Sequence, residues 1–195
     1  MRRPSSRAID AFLEAQRRSS FSYSELGATR RTPPAGYHVD HHRIRLGRGE
    51  RRFARAAGDI REWRMLQLGW ASVCGSKASI EPGTTVAILV RAFGLWSLNG
   101  CRIVYVLDEH EDNAVRRFGF AYGTLAEHAE SGEERFSVEW NRSDEDVWYD
   151  ILAFSRPNHW LARLGSPLSR RLQRRFARDS MLAMSRVVAS CDGAH

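Results

Sequence analysis

Cysteine is scarce in this chain, and no disulfide or zinc pattern is present. The three cysteines, Cys74, Cys101 and Cys191, are an odd number and have no CxxC spacing. Such a set is typical of reduced thiols in a cytoplasmic protein. A chain of 195 residues also buries enough surface to fold without cross-links. We therefore expect one cytoplasmic domain that needs neither a structural metal nor a cofactor.

Long hydrophobic runs are absent as well. The longest comparable run, Val86 to Val90, has the length of a strand and is far short of the ~18 apolar residues of a membrane span. No apolar segment follows Arg2 and Arg3, as it would in a secretory signal. The sequence therefore predicts a protein without a membrane span or a signal peptide.

Lysine is nearly missing, whereas arginine is abundant. Lys77 is the only lysine among 30 basic residues, and with 23 acidic residues the formal net charge is +7. The arginines are scattered, and no aromatic residues alternate with them as in proteins that bind single strands. A solvated basic surface is thus favoured over nucleic-acid binding. A further alternative is an adaptor that binds an anionic partner through the helix face from Arg170 to Arg178.

The first 36 residues differ in composition from the remainder. They are rich in Arg, Ser and Thr and end in Pro33-Pro34-Ala35-Gly36. This predicts an N-terminal arm over residues 1–36, either laid on the surface or partly disordered. Ordered structure is predicted to begin at Tyr37, with one domain over 37–190 and a tail over 191–195.

The remaining pattern predicts a strand, a helix, a β-rich middle and a long last helix. An amphipathic helix is expected from Glu50 to about Leu66, and the last helix begins at Ser166 with Pro167 in its first turn. Asn99-Gly100 predicts a two-residue hairpin turn. Short polar loops favour antiparallel neighbours among strands predicted at 39–46, 69–73, 84–90, 101–107, 117–125, 134–140 and 147–154.

This element order favours an α+β fold of two layers, with helices on one face of a curved antiparallel sheet. Among known folds the order is similar to the helix-grip, or START and Bet v 1-like (SRPBCC), arrangement. In that arrangement a bent sheet wraps around a long C-terminal helix. The similarity implies a cavity between the sheet and the last helix.

One predicted strand has two contrasting faces. Phe118, Phe120, Tyr122 and Thr124 share one face, and the small residues Gly119, Ala121 and Gly123 share the other. A face of small residues lets a backbone, a helix or a ligand approach closely. We expect this face to leave room for a ligand. The alternative is that the glycines only bend the sheet around the last helix.

Several residues near this strand could carry chemistry. The predicted loop after it brings His128 close to Glu133 and Glu134, and a histidine beside carboxylates can perform acid–base catalysis. A charged hairpin loop exposed to solvent is the plainer reading. Arg156, at the end of the last strand, can bind a carboxylate or a phosphate or can simply pair with one of the glutamates.

Two further patterns give weaker signals. His38, Asp40 and His42 would share one strand face, and three such ligands can hold a metal. No distant residue completes that site, so no metal is expected. Gly47-x-Gly49 lacks the third glycine of a dinucleotide-binding loop and is better explained as a tight turn from strand to helix.

Taken together, several of these segments resemble one uncharacterised family. The segments Gly-Phe-Ala-Tyr-Gly-Thr-Leu at 119–125, Gly-Glu-Glu at 132–134 and Ala-Phe-Ser-Arg-Pro at 153–157, with His128 and Gln173, resemble the signature of the DUF1990 (UPF0548) family. The resemblance covers about residues 23–180 and departs at 126–129, where a proline or glycine is expected. It implies the fold but no activity or cofactor.

The leading hypothesis is a small-molecule-binding protein with a cavity of ~300–1,000 Å³ between the sheet and the last helix. The polar residues expected to contact the ligand are Arg102, Tyr122, Thr124, His128, Glu134 and Arg156. The alternative is an enzyme that acts on the bound ligand, with His128 and either Glu133 or Glu134 as the acid–base groups. The sequence leaves the ligand, the presence of catalysis and the oligomeric state open.

Overall fold

In the computed structural model, which describes residues 3–74, 79–111, 114–158 and 166–189, seven strands form one antiparallel sheet. Strands β2 to β7 follow one another across the sheet, and β1 pairs with β7 at the far edge. Bulges in β1 and β4 bend the sheet, so the predicted curved antiparallel sheet is confirmed. The strands are β1 (His38–Arg48), β2 (Ala71–Cys74), β3 (Thr85–Ala92), β4 (Leu95–Glu111), β5 (Val115–Thr124), β6 (Glu130–Asn141) and β7 (Asp146–Pro157).

The helices of the described chain are α1 (Ser6–Arg17), α2 (Glu50–Arg61) and α3 (Ser166–Ala189). Helices α2 and α3 cover one face of the sheet, which we call the inner face; the opposite face is the outer face. The apolar stripe of α2 is buried as predicted. Aromatic rings join the two layers: Trp63 contacts Phe120 at a centroid distance of 4.7 Å, and Phe136 contacts Phe176 at 6.1 Å.

The turn between β3 and β4 lies elsewhere than predicted. Asn99 and Gly100 are inside β4, so the turn expected there is wrong. The two-residue turn is Phe93-Gly94, with φ values of 51° and 76°, between the paired residues Ala92 and Leu95. This turn type needs positive φ at both positions, and a non-glycine residue there costs roughly 1–2 kcal/mol. A phenylalanine at such a position gives no turn signal in a sequence.

Strand β6 begins earlier than predicted. Residues 130–132 belong to the strand instead of a polar loop, so Glu133 and Glu134 lie within it, opposite Gly123 and Tyr122 of β5. Consecutive residues of a strand point to opposite faces of the sheet. The two glutamates are therefore on different sides of the protein.

The chain before residue 37 packs on the outer face of the sheet. Tyr23 and Thr29 are buried there, as is Gln16 at the end of α1. A Cβ atom added to Gly123 would lie only 2.2 Å from the Tyr23 hydroxyl oxygen. The small-residue face thus accommodates this N-terminal segment, and the expectation that it leaves room for a ligand is wrong. Ordered structure also begins before Tyr37. The predicted tail, 191–195, lies outside the described residues.

None of the helices in the described ranges is long and apolar enough to cross a membrane.

Candidate functional site

A cavity of about 350 Å³ lies between the inner face of the sheet and α3. Its volume is at the lower end of the ~300–1,000 Å³ range typical of small-molecule sites. Most of the wall is apolar, with Ile88, Ile151 and Ala153 from the sheet and Leu172 and Phe176 from α3. Polar residues interrupt this wall, among them Asp40, His42, Asn99, Tyr122, Thr124, His128, Glu130, Glu134, Ser155 and Gln173.

The cavity reaches one end of the sheet, which we call the open end. At this end β3 turns into β4 and β5 turns into β6. Ser97 and Ala129 line the cavity there and are exposed to solvent. Ser169, in the first turns of α3, lines the same end. Solvent therefore has access to the cavity from between the strand turns and the start of α3.

Glu134 is a carboxyl group of the cavity wall that has no cationic partner among the described residues. Burial raises the pKa of Glu134 from its ordinary 4.5 to about 7, although a hydrogen bond from Tyr122 opposes this and the charge of Asp40 adds to it. The Tyr122 hydroxyl donates to Glu134 Oε2 at 2.7 Å. Oε1 has no hydrogen-bond partner among the described residues. Near neutral pH this group can both give and take a proton.

His128 is another titratable group of the cavity wall. Its Nδ1 accepts a hydrogen bond of 3.0 Å from the backbone N–H of Glu130, so the neutral ring carries its proton on Nε2. Burial lowers the pKa of His128 from 6.5 to about 4, and the Glu130 hydrogen bond opposes this only in part. At neutral pH His128 is therefore an uncharged N–H donor.

Glu133 does not join this pair, because its carboxylate is on the outer face. It accepts hydrogen bonds from the Tyr23 hydroxyl at 2.8 Å, from the backbone N–H groups of Gly27 and Thr29 at 2.7 and 3.0 Å, and from the Thr29 hydroxyl. The residue is 2% exposed. Its structural effect is to hold the N-terminal segment against the sheet.

Thr124 lines the cavity, but its hydroxyl is used inside the fold. It accepts from the backbone N–H of Gly132 at 2.9 Å and donates to the Gly132 carbonyl at 3.1 Å. The Ser22 hydroxyl lies 2.6 Å away on the N-terminal segment. This side chain therefore joins three parts of the chain and has little hydrogen-bonding capacity left for a ligand.

The two predicted arginines lie on the outer face and do not line the cavity. Arg102 Nη2 donates to the carbonyl oxygens of Gln16 and Arg17, each at 3.0 Å, and so caps the C-terminal end of α1. Arg156 is exposed and lies 4.4 Å from the centre of the Tyr37 ring. Of the six residues predicted to contact a ligand, the structure brings four to the cavity: Tyr122, Thr124, His128 and Glu134.

A polar cluster at the cavity wall was not foreseen. Arg170 of α3 holds both carboxylate oxygens of Asp40 in β1, at 2.5 and 2.9 Å. Gln173 accepts from Arg170 at 2.8 Å and donates to Ser155 of β7 at 3.1 Å. Asp40 and Arg170 are 130 positions apart in the chain, so no local sequence pattern predicts that they pair.

The predicted metal pattern of the first strand lies on one face, as expected from strand alternation: Asp40 and His42 both line the cavity. Asp40 is paired there with Arg170, whereas His41, between them, bonds Asp150 on the outer face at 2.6 Å. Within the part of the chain that the structure describes, no group of three or more His, Cys, Asp or Glu residues could hold a metal ion.

Three of the five arginines on this face of the last helix have partners within the fold. Besides Arg170, Arg175 lies 4.4 Å from the centre of the Trp70 ring, and Arg178 donates to Asp179 at 3.0 Å. Arg171, Arg174, Arg175 and Arg178 are all exposed. An anionic partner therefore has access to four of the five guanidinium groups, two of which already have partners within the fold.

Comparison with known proteins agrees with the resemblance found in the sequence. The model of a family described as "Domain of unknown function (DUF1990)" matches residues 22–183. A UPF0548 protein of Dictyostelium discoideum is 34% identical over 205 residues, covering 97% of this chain and 95% of the relative. A UPF0548 protein of Deinococcus radiodurans is 36% identical over 191 residues, covering 91% and 92%.

A solved structure supports the fold. The crystal structure of Ara h 8.0201 aligns with a TM-score of 0.51 and 13% identity, covering 80% of this chain and 99% of that one. At such low identity the similarity bears on the fold alone. It confirms the Bet v 1-like arrangement of a curved sheet and a C-terminal helix.

Proposed function

This chain belongs to the DUF1990 family, and we propose that it binds a small, mostly apolar molecule in the cavity between the sheet and α3. The observation that carries the proposal is the carboxyl group of Glu134, whose one hydrogen-bond partner among the described residues is Tyr122 and whose surroundings in the wall are mostly apolar. An incompletely hydrogen-bonded carboxyl group in such surroundings destabilises the fold. Buried titratable groups with shifted pKa values of this kind cluster at binding and catalytic sites.

The polar groups define which ligands fit. Glu134 Oε1 is open to a hydroxyl or amine of the ligand when ionised, and a protonated Glu134 can donate to a carbonyl oxygen. His128 offers an N–H group to an acceptor. The volume of about 350 Å³ equals that of roughly a dozen water molecules. These features favour an apolar body that carries one or two oxygen or nitrogen atoms.

Catalysis on the bound molecule is the second candidate function. The observation that favours it is that burial shifts the two cavity groups in opposite directions, raising the pKa of Glu134 to about 7 and lowering that of His128 to about 4. Such a pair supplies a proton acceptor and an uncharged hydrogen-bond donor at neutral pH. The acid–base pair of this alternative is His128 with Glu134, since Glu133 faces the other way.

Native mass spectrometry of the protein purified from its own host tests the proposal. We expect the wild-type protein to retain a small molecule. The variant Ala153→Phe should lose it, because Ala153 lines the cavity directly opposite Glu134 in the neighbouring strand. The matched control is Ala54→Phe, at an exposed position of α2, which should retain the molecule.

Two results would contradict ligand binding. One is a ligand-free mass for both the wild-type protein and the Ala54→Phe control. The other is equal retention by the Ala153→Phe variant, provided that its circular dichroism matches that of the wild type. Once a ligand is identified, His128→Ala distinguishes the two functions: lost turnover with nearly unchanged affinity supports catalysis, and equal losses contradict it.

A further inference from the structure

The turn between β3 and β4 exposes apolar side chains in a row. Phe93 is 65% exposed and Leu95 is 55% exposed. The next residue, Trp96, has the guanidinium groups of Arg3 and Arg91 on its ring, each 5.7 Å from the ring centre. We call residues 91–96 the hairpin tip. An apolar end ringed by cationic groups is unusual for a surface exposed only to water.

Packing within the fold does not explain Phe93. Its φ of 51° is one that asparagine and glycine adopt readily and phenylalanine does not. Its side chain points mostly into solvent, so burial of this ring contributes little to the stability of the fold. Residues held in strained backbone conformations at exposed positions are found at functional surfaces.

The hairpin tip lies at the open end of the cavity. Ala92 within the tip and Ser97 directly after it both line the cavity. Leu168, in the first turn of α3, is 41% exposed, one residue before Ser169 of the same open end. Exposed apolar groups thus come from both structural layers that border the access to the cavity.

We propose that the hairpin tip docks on an anionic lipid surface and holds the open end of the cavity against it. Phe93 and Leu95 would enter the boundary between headgroups and acyl chains, Trp96 would lie at the headgroup level, and Arg3 and Arg91 would contact anionic headgroups. The formal net charge of +7 favours approach to such a surface.

Charge also argues for lipid over a second copy of the chain. Two hairpin tips packed on each other would bring together four guanidinium groups of like charge, which opposes association. The proposal goes beyond ligand binding and does not depend on it, because the contact with lipid involves no cavity side chain.

Vesicle flotation tests the proposal with the variant Phe93→Asn. The wild-type protein should float with vesicles of phosphatidylcholine and phosphatidylglycerol, and it should float less at high salt or with phosphatidylcholine alone. Phe93→Asn should weaken binding roughly tenfold. Its melting temperature should equal or exceed that of the wild type, because asparagine suits the turn.

The matched control is Leu182→Gln, which removes another exposed leucine (43% exposed) from the middle of α3 and should leave flotation unchanged. The proposal is overturned if the wild-type protein does not float with the mixed vesicles, or if both variants lose binding equally. It is also overturned if sedimentation shows a dimer that Phe93→Asn abolishes. Each of these results is independent of the mass of any retained ligand.

Discussion

The neighbouring residues Glu133 and Glu134 should respond in opposite ways to the same substitution. Glu134→Gln removes a charge from the mostly apolar cavity but keeps an oxygen that can accept from Tyr122. Glu133→Gln replaces with an NH₂ group one of two carboxylate oxygens, each of which accepts from two donors on the N-terminal segment. The first change should stabilise the protein above neutral pH, and the second should destabilise it.

The magnitude for Glu134 follows from its pKa. Burial raises that pKa from 4.5 to about 7, and ~1.4 kcal/mol corresponds to each pKa unit. Folding therefore favours the protonated acid: its stability contribution is complete below pH 4.5 and is lost as the pH rises through 7. Relative to wild type, Glu134→Gln should gain up to about 3 kcal/mol between these pH values. Water inside the cavity would reduce that figure.

For Glu133→Gln the expected loss is about 2–3 kcal/mol, since hydrogen bonds to a charged acceptor contribute ~1.5–3 kcal/mol and buried N–H groups would lose a partner. Faster hydrogen exchange of the backbone N–H groups of Gly27 and Thr29 should accompany the loss. A control is Asp108→Asn, at an exposed position of β4, which should reproduce neither effect.

The free energy of unfolding of all three variants can be measured by urea denaturation, monitored by tryptophan fluorescence, at a series of pH values from about 4 to about 8. The reasoning is refuted if the stability difference between Glu134→Gln and wild type does not change with pH. It is also refuted if Glu133→Gln unfolds at the wild-type urea concentration.

Two further substitutions test the remaining contacts. Wild-type stability should fall on acidification between pH 6.5 and about 4, because His128 is protonated in the unfolded chain but not in the folded protein. His128→Asn should reduce this loss. If the free energy of unfolding of the variant depends on pH below 6.5 as that of the wild type does, His128 is hydrated in the folded protein. Gly123→Ala should cost about 1–3 kcal/mol, because its Cβ would meet the Tyr23 hydroxyl. The same change should cost less in a Tyr23→Phe background, and additive effects in this double-mutant cycle would contradict the contact.

Much of the fold could be predicted because its signals are local. The apolar stripe of α2, the β-branched run of β3 and the start of α3 at Ser166 each depend on a few neighbouring residues. The turn at Phe93-Gly94 could not be predicted, because its first residue is unfavourable there. The start of β6 was missed because residues 130–134 are polar, although both faces of the strand are covered by protein.

The site could be predicted in its chemistry but not in its geometry. Tyr122, His128 and Glu134 stood out as residue types that bind or move protons, and all three line the cavity. Alternation along a strand separates the faces but does not say which one meets the last helix. The aromatic face that includes Phe120 and Tyr122 turned out to be the inner one. Arg102 was misplaced because its partners are backbone carbonyl oxygens of α1, which carry no side-chain signature.

Thr124 has a consequence that reaches beyond its own hydrogen bonds. The Thr124 hydroxyl bonds both the N–H and the carbonyl group of Gly132. These two hydrogen bonds help to hold the register in which β6 pairs with β5. A slip of one residue would exchange the two glutamates, so that the carboxylate that now secures the N-terminal segment would enter the cavity. The hydroxyl of Thr124 thus supports the alignment that decides which acid the protein presents to a guest, and Thr124→Val is the substitution in which misaligned molecules should first accumulate.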